Sequence, residues 1–271
     1  MIIIDTDPGI DDAMAIFYAL ASPELNVVGL TAVFGNVAVE TATTNARRLM
    51  EIAGREDVPV CRGAARSLTR PFSGAVAHVH GTDGQGDARL SPPQGAEDPR
   101  RATEFIIQTV MSHPGEVTLV ALGPLTNLAL ALVERPDIAR HVRQVVCMGG
   151  NVFVPGNASP AAEANVLSDP EAAQIVLSAA WPVTMCGLDV THRIRMTPAD
   201  LERIYRISTP TARHLARIVP FYHAFYEANV SGSGIYVHDS TTISYLLHPD
   251  AFETETLALQ VDTSDSIGRG K

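Results

Sequence analysis

The sequence predicts an α/β fold, a mostly parallel central sheet flanked by helices, with a more helical C-terminal region. Three observations predict it. Short apolar, β-branched runs alternate with stretches of helical periodicity, as in a parallel sheet whose crossovers are helices. Prolines mark the starts of several of those helical stretches. The first apolar run ends in four aspartates, at the carboxyl end of a strand, where open α/β sheets bind their ligands.

Residues 2–4 are three isoleucines, the pattern of a strand buried on both faces. They lead into Asp5, Asp7, Asp11 and Asp12, with Pro8 and Gly9 turning the chain between them. From Ala13 the apolar residues Ile16, Phe17 and Leu20 recur at helical spacing. The segment therefore reads strand, acidic turn, helix. One aspartate can cap the helix, but four cannot, because a helix has a single N-cap position. Carboxylates so close together repel one another unless a cation sits among them, and an all-oxygen donor set suits calcium or magnesium.

Further strands are predicted over 27–33, 58–61, 117–122, 144–148 and 183–188, and helix starts at Pro99, Pro124, Pro170, Pro198 and Pro210. Two stretches break this rhythm. Residues 62–98 are rich in Gly, Pro and Ser and read as a long surface loop. Its His78 and His80 lack further Cys or His at zinc spacing. Two readings stand for His80: a mobile flap presenting it to a pocket, or a solvated loop histidine. Residues 149–167 are also irregular and carry Asn151, Asn157, Glu163 and Asn165. There is no internal repeat and no separating linker, so 1–271 reads as one domain.

Composition narrows the function. A net charge of −10 argues against nucleic acid or an anionic membrane surface as partner. Lys271 is the only lysine, which removes lysine from the catalytic candidates. Cys61, Cys147 and Cys186 are odd in number and far apart, the last two in apolar runs. They read as buried thiols in a reducing compartment, hence a cytoplasmic protein. The N-terminus lacks the basic region of a secretory signal, and no apolar run reaches the roughly 18 residues of a spanning helix.

Other polar groups fall where strands end. Asn36 follows Phe34-Gly35 and is either a helix cap or a ligand contact. Gly123-Pro124-Leu125-Thr126-Asn127 is either plain helix initiation or a turn whose carbonyl joins a metal. Met148-Gly149-Gly150 permits close backbone approach. Asn157, Glu163 and Asn165 suit a polyhydroxyl ligand such as a sugar, or stabilise loop turns. His238 and Asp239 are adjacent at a helix start and point in different directions, so separate roles are expected, Asp239 on a metal and His238 on the ligand.

Taken in order, these segments resemble the inosine–uridine preferring nucleoside hydrolase family over essentially the whole chain. The motifs are Asp5-Thr-Asp7-Pro-Gly-Ile-Asp11-Asp12, Phe34-Gly-Asn36, His80-Gly81, Gly123-Pro-Leu-Thr126-Asn127, Met148-Gly-Gly, Asn157, Glu163-Ala-Asn165 and His238-Asp239. The resemblance implies a Rossmann-like fold and calcium (Ca2+) held by the side chains of Asp7, Asp12 and Asp239 and the carbonyl of Thr126. It implies ribose binding by Asp11, Asn157, Glu163 and Asn165, with Asn36 and Met148 nearby, His80 near the base and His238 over the leaving base. The activity implied is hydrolysis of the N-glycosidic bond of ribonucleosides to base and ribose, with Asp7 as general base, His238 as acid and Asp5 as support for the turn. Such a cleavage builds positive charge on the ribose ring. A homodimer or homotetramer is implied as well.

Three departures stand out. Ala164 replaces the phenylalanine of several relatives. Tyr226 and Val230 stand where pyrimidine-selective relatives place Gln and Tyr, against strict pyrimidine selectivity. Family members usually continue beyond a segment like residues 267–270, so the usual C-terminal end is expected to be missing. Two other readings compete: a haloacid-dehalogenase-type phosphotransferase, which the lack of lysine and the Pro8-Gly9 turn disfavour, and a non-catalytic ribose- or nucleoside-binding protein.

Overall fold

In the computed structural model, which describes residues 1–271, six parallel strands form the central sheet. They are β1 (Ile2–Thr6), β2 (Val27–Ala32), β3 (Val60–Arg62), β4 (Thr118–Ala121), β5 (Gln144–Met148) and β6 (Val183–Cys186). Their order is β3-β2-β1-β4-β5-β6. A two-stranded antiparallel ribbon, β7 (Arg195–Met196) with β8 (Ile235–Tyr236), lies apart from the sheet. The helices are α1 (Ile10–Ala21), α2 (Val39–Ala53), α3 (Ala77–His80), α4 (Ala102–Ser112), α5 (Thr126–Glu134), α6 (Ala164–Ser168), α7 (Pro170–Leu177), α8 (Leu188–Thr191), α9 (Pro198–Tyr205), α10 (Pro210–Asn229) and α11 (His238–Leu247).

The period of two along a strand divides the core between the two faces of the sheet. Ile2 and Ile4 of β1 pack with residues of α1, α2, α10 and α11. Ile3 packs on the opposite face with α4, α5 and α7. Both faces are covered, which is why β1 reads as an unbroken apolar run. Gly29 of β2 leaves room for the Phe105 ring, which a β-carbon at that position would overlap.

The predicted strands are all present: β5 as expected, β2, β4 and β6 one or two residues shorter, and β3 shifted to Val60–Arg62. Pro170, Pro198 and Pro210 each open a helix, with Asp169, Thr197 and Thr209 accepting capping hydrogen bonds. The expectation fails at Pro99 and Pro124. Asp98 donates its N–H to the Val60 carbonyl and holds Arg100 with its carboxylate, so this stretch is a turn beside β3, and α4 waits until Ala102. After Pro124 the helix begins two residues on, at Thr126. The helical C-terminal region is not a separate lobe: α10 and α11 complete the α1 side of the core. No helix is long and apolar enough to cross a membrane.

Candidate active site

The strand order reverses between β1 and β4, and ligands of doubly wound sheets bind outside the carboxyl ends of the strands at that point. The segments after β1, β2, β4 and β5 meet there. Asp7, Asp11, Asp12 and Asp239 are all buried. Carboxylate oxygens of Asp11, Asp12 and Asp239 lie within 4.8 Å of one another. That spacing suits a cation with oxygen ligands at about 2.3–2.6 Å. Asp239 comes from the start of α11, which packs directly on α1.

The local fold explains each orientation. Asp12, at the third position of α1, turns back to accept the Gly9 N–H at 2.9 Å, and its second oxygen accepts from Thr6 Oγ1. It therefore caps the helix as well as lining the cluster. Asp7 accepts the Asn36 N–H at 2.6 Å through Oδ2, while its Oδ1 is buried with no partner. Gly35 and Gly123 flank it, and a β-carbon at either would collide with the Asp7 carboxylate. Burial and mutual repulsion push the carboxyls of Asp7, Asp12 and Asp239 above the ordinary carboxylate range. Asp11 is pushed up to about 6, chiefly by burial. A cation among these groups would offset their repulsion.

Asn36 also donates from Nδ2 to Asp12 Oδ2 at 3.2 Å, so it serves the carboxylates rather than capping α2, whose N-cap is Ala38. Glu163 is buried and caps α6: its oxygens accept from the N–H groups of Gly150, Asn165 and Val166 at 2.8–3.0 Å. Asn165 donates to the carbonyls of Leu122 and Met148 at 2.7 and 3.2 Å, joining the ends of β4 and β5. Asn157 is exposed and accepts the Ala164 N–H at 3.0 Å, so it sits at the rim rather than among the buried groups. The Asn151 side chain ties residues 154–163 together.

His80 is buried at the end of α3, not on an open flap. Its Nδ1 accepts the Ile10 N–H at 3.2 Å, 3.8 Å from Asp11 Oδ1, and its ring stacks on Tyr222 at 5.5 Å. Burial lowers its pKa to about 4, leaving a neutral imidazole that keeps its proton on Nε2. His78 stays exposed, against Phe225.

A hydrogen-bonded chain leads from the carboxylates to His238. Tyr222 donates to Asp11 Oδ2 at 3.1 Å, Tyr226 meets Tyr222 at 3.2 Å, and His238 Nε2 meets Tyr226 at 3.1 Å. Thr191 Oγ1 lies 2.8 Å from His238 Nδ1. An ionised Asp11 fixes the direction, because a carboxylate only accepts: Tyr226 then donates to Tyr222, His238 to Tyr226, and Thr191 to His238. His238 is neutral, its pKa lowered to about 3 by burial and by His192.

Sequence reasoning missed several of these partners. Asn127 donates to Asp5 Oδ1 at 2.7 Å and accepts the Ala64 N–H at 2.8 Å, so Asp5 braces the start of α5 beside Thr126. Thr126 Oγ1 donates to Asp169, the cap of α7, at 2.7 Å. No motif marks Tyr222 or Tyr226 as part of this chain, and nothing local to Thr191 signals its contact with His238.

Fold and crevice together define a class: a Rossmann-like α/β protein, strand order 3-2-1-4-5-6, with a carboxylate nest and neutral polar groups at its topological switch. Comparison with known proteins narrows the class. The family model described as inosine-uridine preferring nucleoside hydrolase matches residues 2–271. A probable uridine nucleosidase 2 from Arabidopsis thaliana is 43% identical over 270 residues, covering 99% of this chain and 84% of the relative. An inosine-uridine preferring nucleoside hydrolase from Leishmania major is 41% identical, with 99% and 85% covered. Among solved structures, a plant nucleoside hydrolase, the PpNRh1 enzyme, superposes with a TM-score of 0.96 at 42% identity, with 99% and 85% covered. The chain belongs to the inosine–uridine preferring nucleoside hydrolase family. It is an enzyme, a nucleoside hydrolase, and its substrate class is the small-molecule nucleosides. Neither the phosphotransferase nor the non-catalytic reading is favoured.

Proposed function

We infer that the enzyme hydrolyses the N-glycosidic bond of ribonucleosides in a calcium-dependent reaction, with Asp7 as general base. The observation that carries this reading is the buried, unpartnered Oδ1 of Asp7 beside the converging oxygens of Asp11, Asp12 and Asp239. The donor set is all oxygen, which suits a hard cation; Asp7, Asp12, Asp239 and the Thr126 carbonyl would hold it as the family resemblance implies, although the oxygens that converge within 4.8 Å include Asp11 in place of Asp7. When bound, calcium supplies positive charge that orients and acidifies an attacking water.

The rest is done by the chain's own groups. Water adds to C1′ while the C1′–N bond breaks, and the electron pair leaves with the base. Asp7 Oδ1, free of other partners, takes the water proton. Asn165, Glu163 and Asp11 fix the ribose, and the surrounding carboxylates favour the positive charge that builds on its ring. The leaving base needs a proton or a hydrogen bond at nitrogen, which His238 and Tyr226 can donate. Because His238 is neutral, what it offers the leaving nitrogen is a hydrogen bond from its N–H, turned from Tyr226 to the base, rather than the proton of an imidazolium; the departing base then takes its proton from water.

The test is free-ribose release from inosine, adenosine, guanosine, uridine and cytidine, with and without a calcium chelator. Release that calcium restores supports the reading; no release from any nucleoside in calcium sinks it. His238→Ala separates the two ends of the mechanism. It lowers inosine turnover about 100-fold and leaves p-nitrophenyl riboside, whose leaving group needs no acid, nearly unchanged. Equal losses on both would remove His238 as the donor.

A further inference from the structure

The segment after His80 carries a buried polar link with no role in the reaction above. Gln85 is 0% exposed. Its Nε2 lies 3.0 Å from the Gly9 carbonyl, 3.0 Å from that of Gly84 and 3.4 Å from that of Pro8. Its Oε1 accepts from His214 Nε2 at 2.9 Å. The side chain is fully hydrogen-bonded, between the acidic turn on one side and α10 on the other. A second amide, Asn45 of α2, donates to the same Pro8 carbonyl at 3.2 Å and to Asp83 at 2.8 Å.

We propose that Gln85 is a positioning residue for catalysis. It fixes the Pro8–Gly9 turn that presents the carboxylates, and through His214 it sets that turn against α10, the helix carrying Tyr222 and Tyr226. Asn45 holds the Pro8 carbonyl and the Ala13 N–H reaches the Gly9 carbonyl at 3.2 Å, but of these contacts only that of Gln85 also ties the turn to α10. Pro8 has no N–H, Gly9 has no side chain, and Gly9 must bring its own N–H to Asp12. Held by Gln85, the peptide groups of this turn aim the Gly9 N–H at Asp12 and the Ile10 N–H at His80. Two catalytic halves from distant parts of the chain therefore share one buried amide. His214 lies two helical turns before Tyr222, with Pro220 interrupting the helix between them. A helix relieved of one backbone hydrogen bond needs an outside contact to fix its direction. His214 supplies it, with the edge of its ring against Phe17 of α1.

This inference rests on the calcium and general-base reading, and the test separates the two. Gln85→Leu keeps the bulk and removes the donors, His214→Phe keeps the ring, and His214→Gln restores an N–H donor. For each purified variant, calcium affinity is measured by titration calorimetry, kcat and KM on inosine at saturating calcium, and Tm in chelator. Gln85→Leu is expected to weaken calcium binding and lower kcat, each about tenfold, with KM within about twofold. His214→Phe is expected to lower kcat about tenfold with calcium affinity unchanged, and His214→Gln to recover most of it. A lower Tm with calcium affinity and kcat both unchanged in Gln85→Leu gives the amide a purely structural role and overturns the proposal. Parent activity that survives full chelation would refute the calcium reading alone, and the kcat comparison would then decide on Gln85.

Discussion

Asp7 and Glu163 are buried to the same extent, each about 1% exposed, and yet they are buried in opposite ways. Glu163 meets three backbone N–H groups, two at the start of α6 and one at Gly150 just after β5. Asp7 meets one, and its other oxygen has no partner, while Asp12 and Asp11 repel its carboxylate. A buried charge must be compensated, by hydrogen bonds or by an opposite charge. Glu163 finds hydrogen-bond partners within the chain, which offset part of the burial that raises its pKa, whereas Asp7 keeps one oxygen without a partner. Residue type and burial therefore do not separate these two carboxylates, and an unpartnered oxygen alone does not mark a site, since Asp5 Oδ2 also lacks a partner; what sets Asp7 apart is that it lies among the repelling carboxylates of Asp11 and Asp12.

The comparison breaks or holds on measurements of unequal size. Asp7→Asn has the largest expected effect, a fall in kcat of about 1000-fold. In chelator the same substitution raises Tm, since it removes one repelling charge. A fall in Tm would mean the corner is satisfied without a cation. Next comes the metal itself: calcium at 100 times its Kd stabilises the parent by about 2.7 kcal/mol, and Asp7→Asn by much less. Glu163→Gln places an NH2 against N–H donors and destabilises by about 2 kcal/mol, a fall in Tm of about 5 °C, with or without calcium. Dependence of that loss on calcium would put Glu163 in the cation's corner after all.

The smallest effect concerns His214, a buried group kept neutral rather than compensated. Burial lowers its pKa from 6.5 to about 4, with Arg48 and Arg217 adding to the effect. Between those values the unfolded chain binds more protons than the folded one. The stability His214 contributes is therefore present above pH 6.5 and lost as pH falls towards 4. After allowance for partial solvent screening this amounts to about 1–2 kcal/mol. His214→Phe should flatten the Tm profile across that window relative to the parent, and identical profiles would refute the assignment.

Much of the fold and half of the site were legible in the sequence. The strand–turn–helix at residues 2–20 carries its own pattern: an apolar run, Pro-Gly, then helical spacing. Asp239 is paired with it by the family resemblance, not by any local pattern. What stayed hidden acts across the chain. Gln85 meets His214 and Tyr222 meets Asp11 over 129 and 211 residues, and no periodicity encodes such a partner. The His80 segment was misjudged for a related reason. Glycine-rich composition signals freedom of the backbone, but Ile10, Tyr222 and Gln85 remove that freedom once the chain is folded. Pro99 misled because proline fixes φ equally well in a turn and in a first helical turn, and Asp98 chose the turn.

Gly35 and Gly123 give the site a further property. Each stands where a single methyl group would strike the Asp7 carboxylate. Part of the active site is thus a mould made of absent atoms, supplied by residues with no reactive chemistry of their own. Alanine at either position, the mildest change in a mutational scan, is a direct hit on the residue proposed as general base. Inactive variants at these two glycines would belong with those at Asp7 itself, although a survey of polar side chains would never select them.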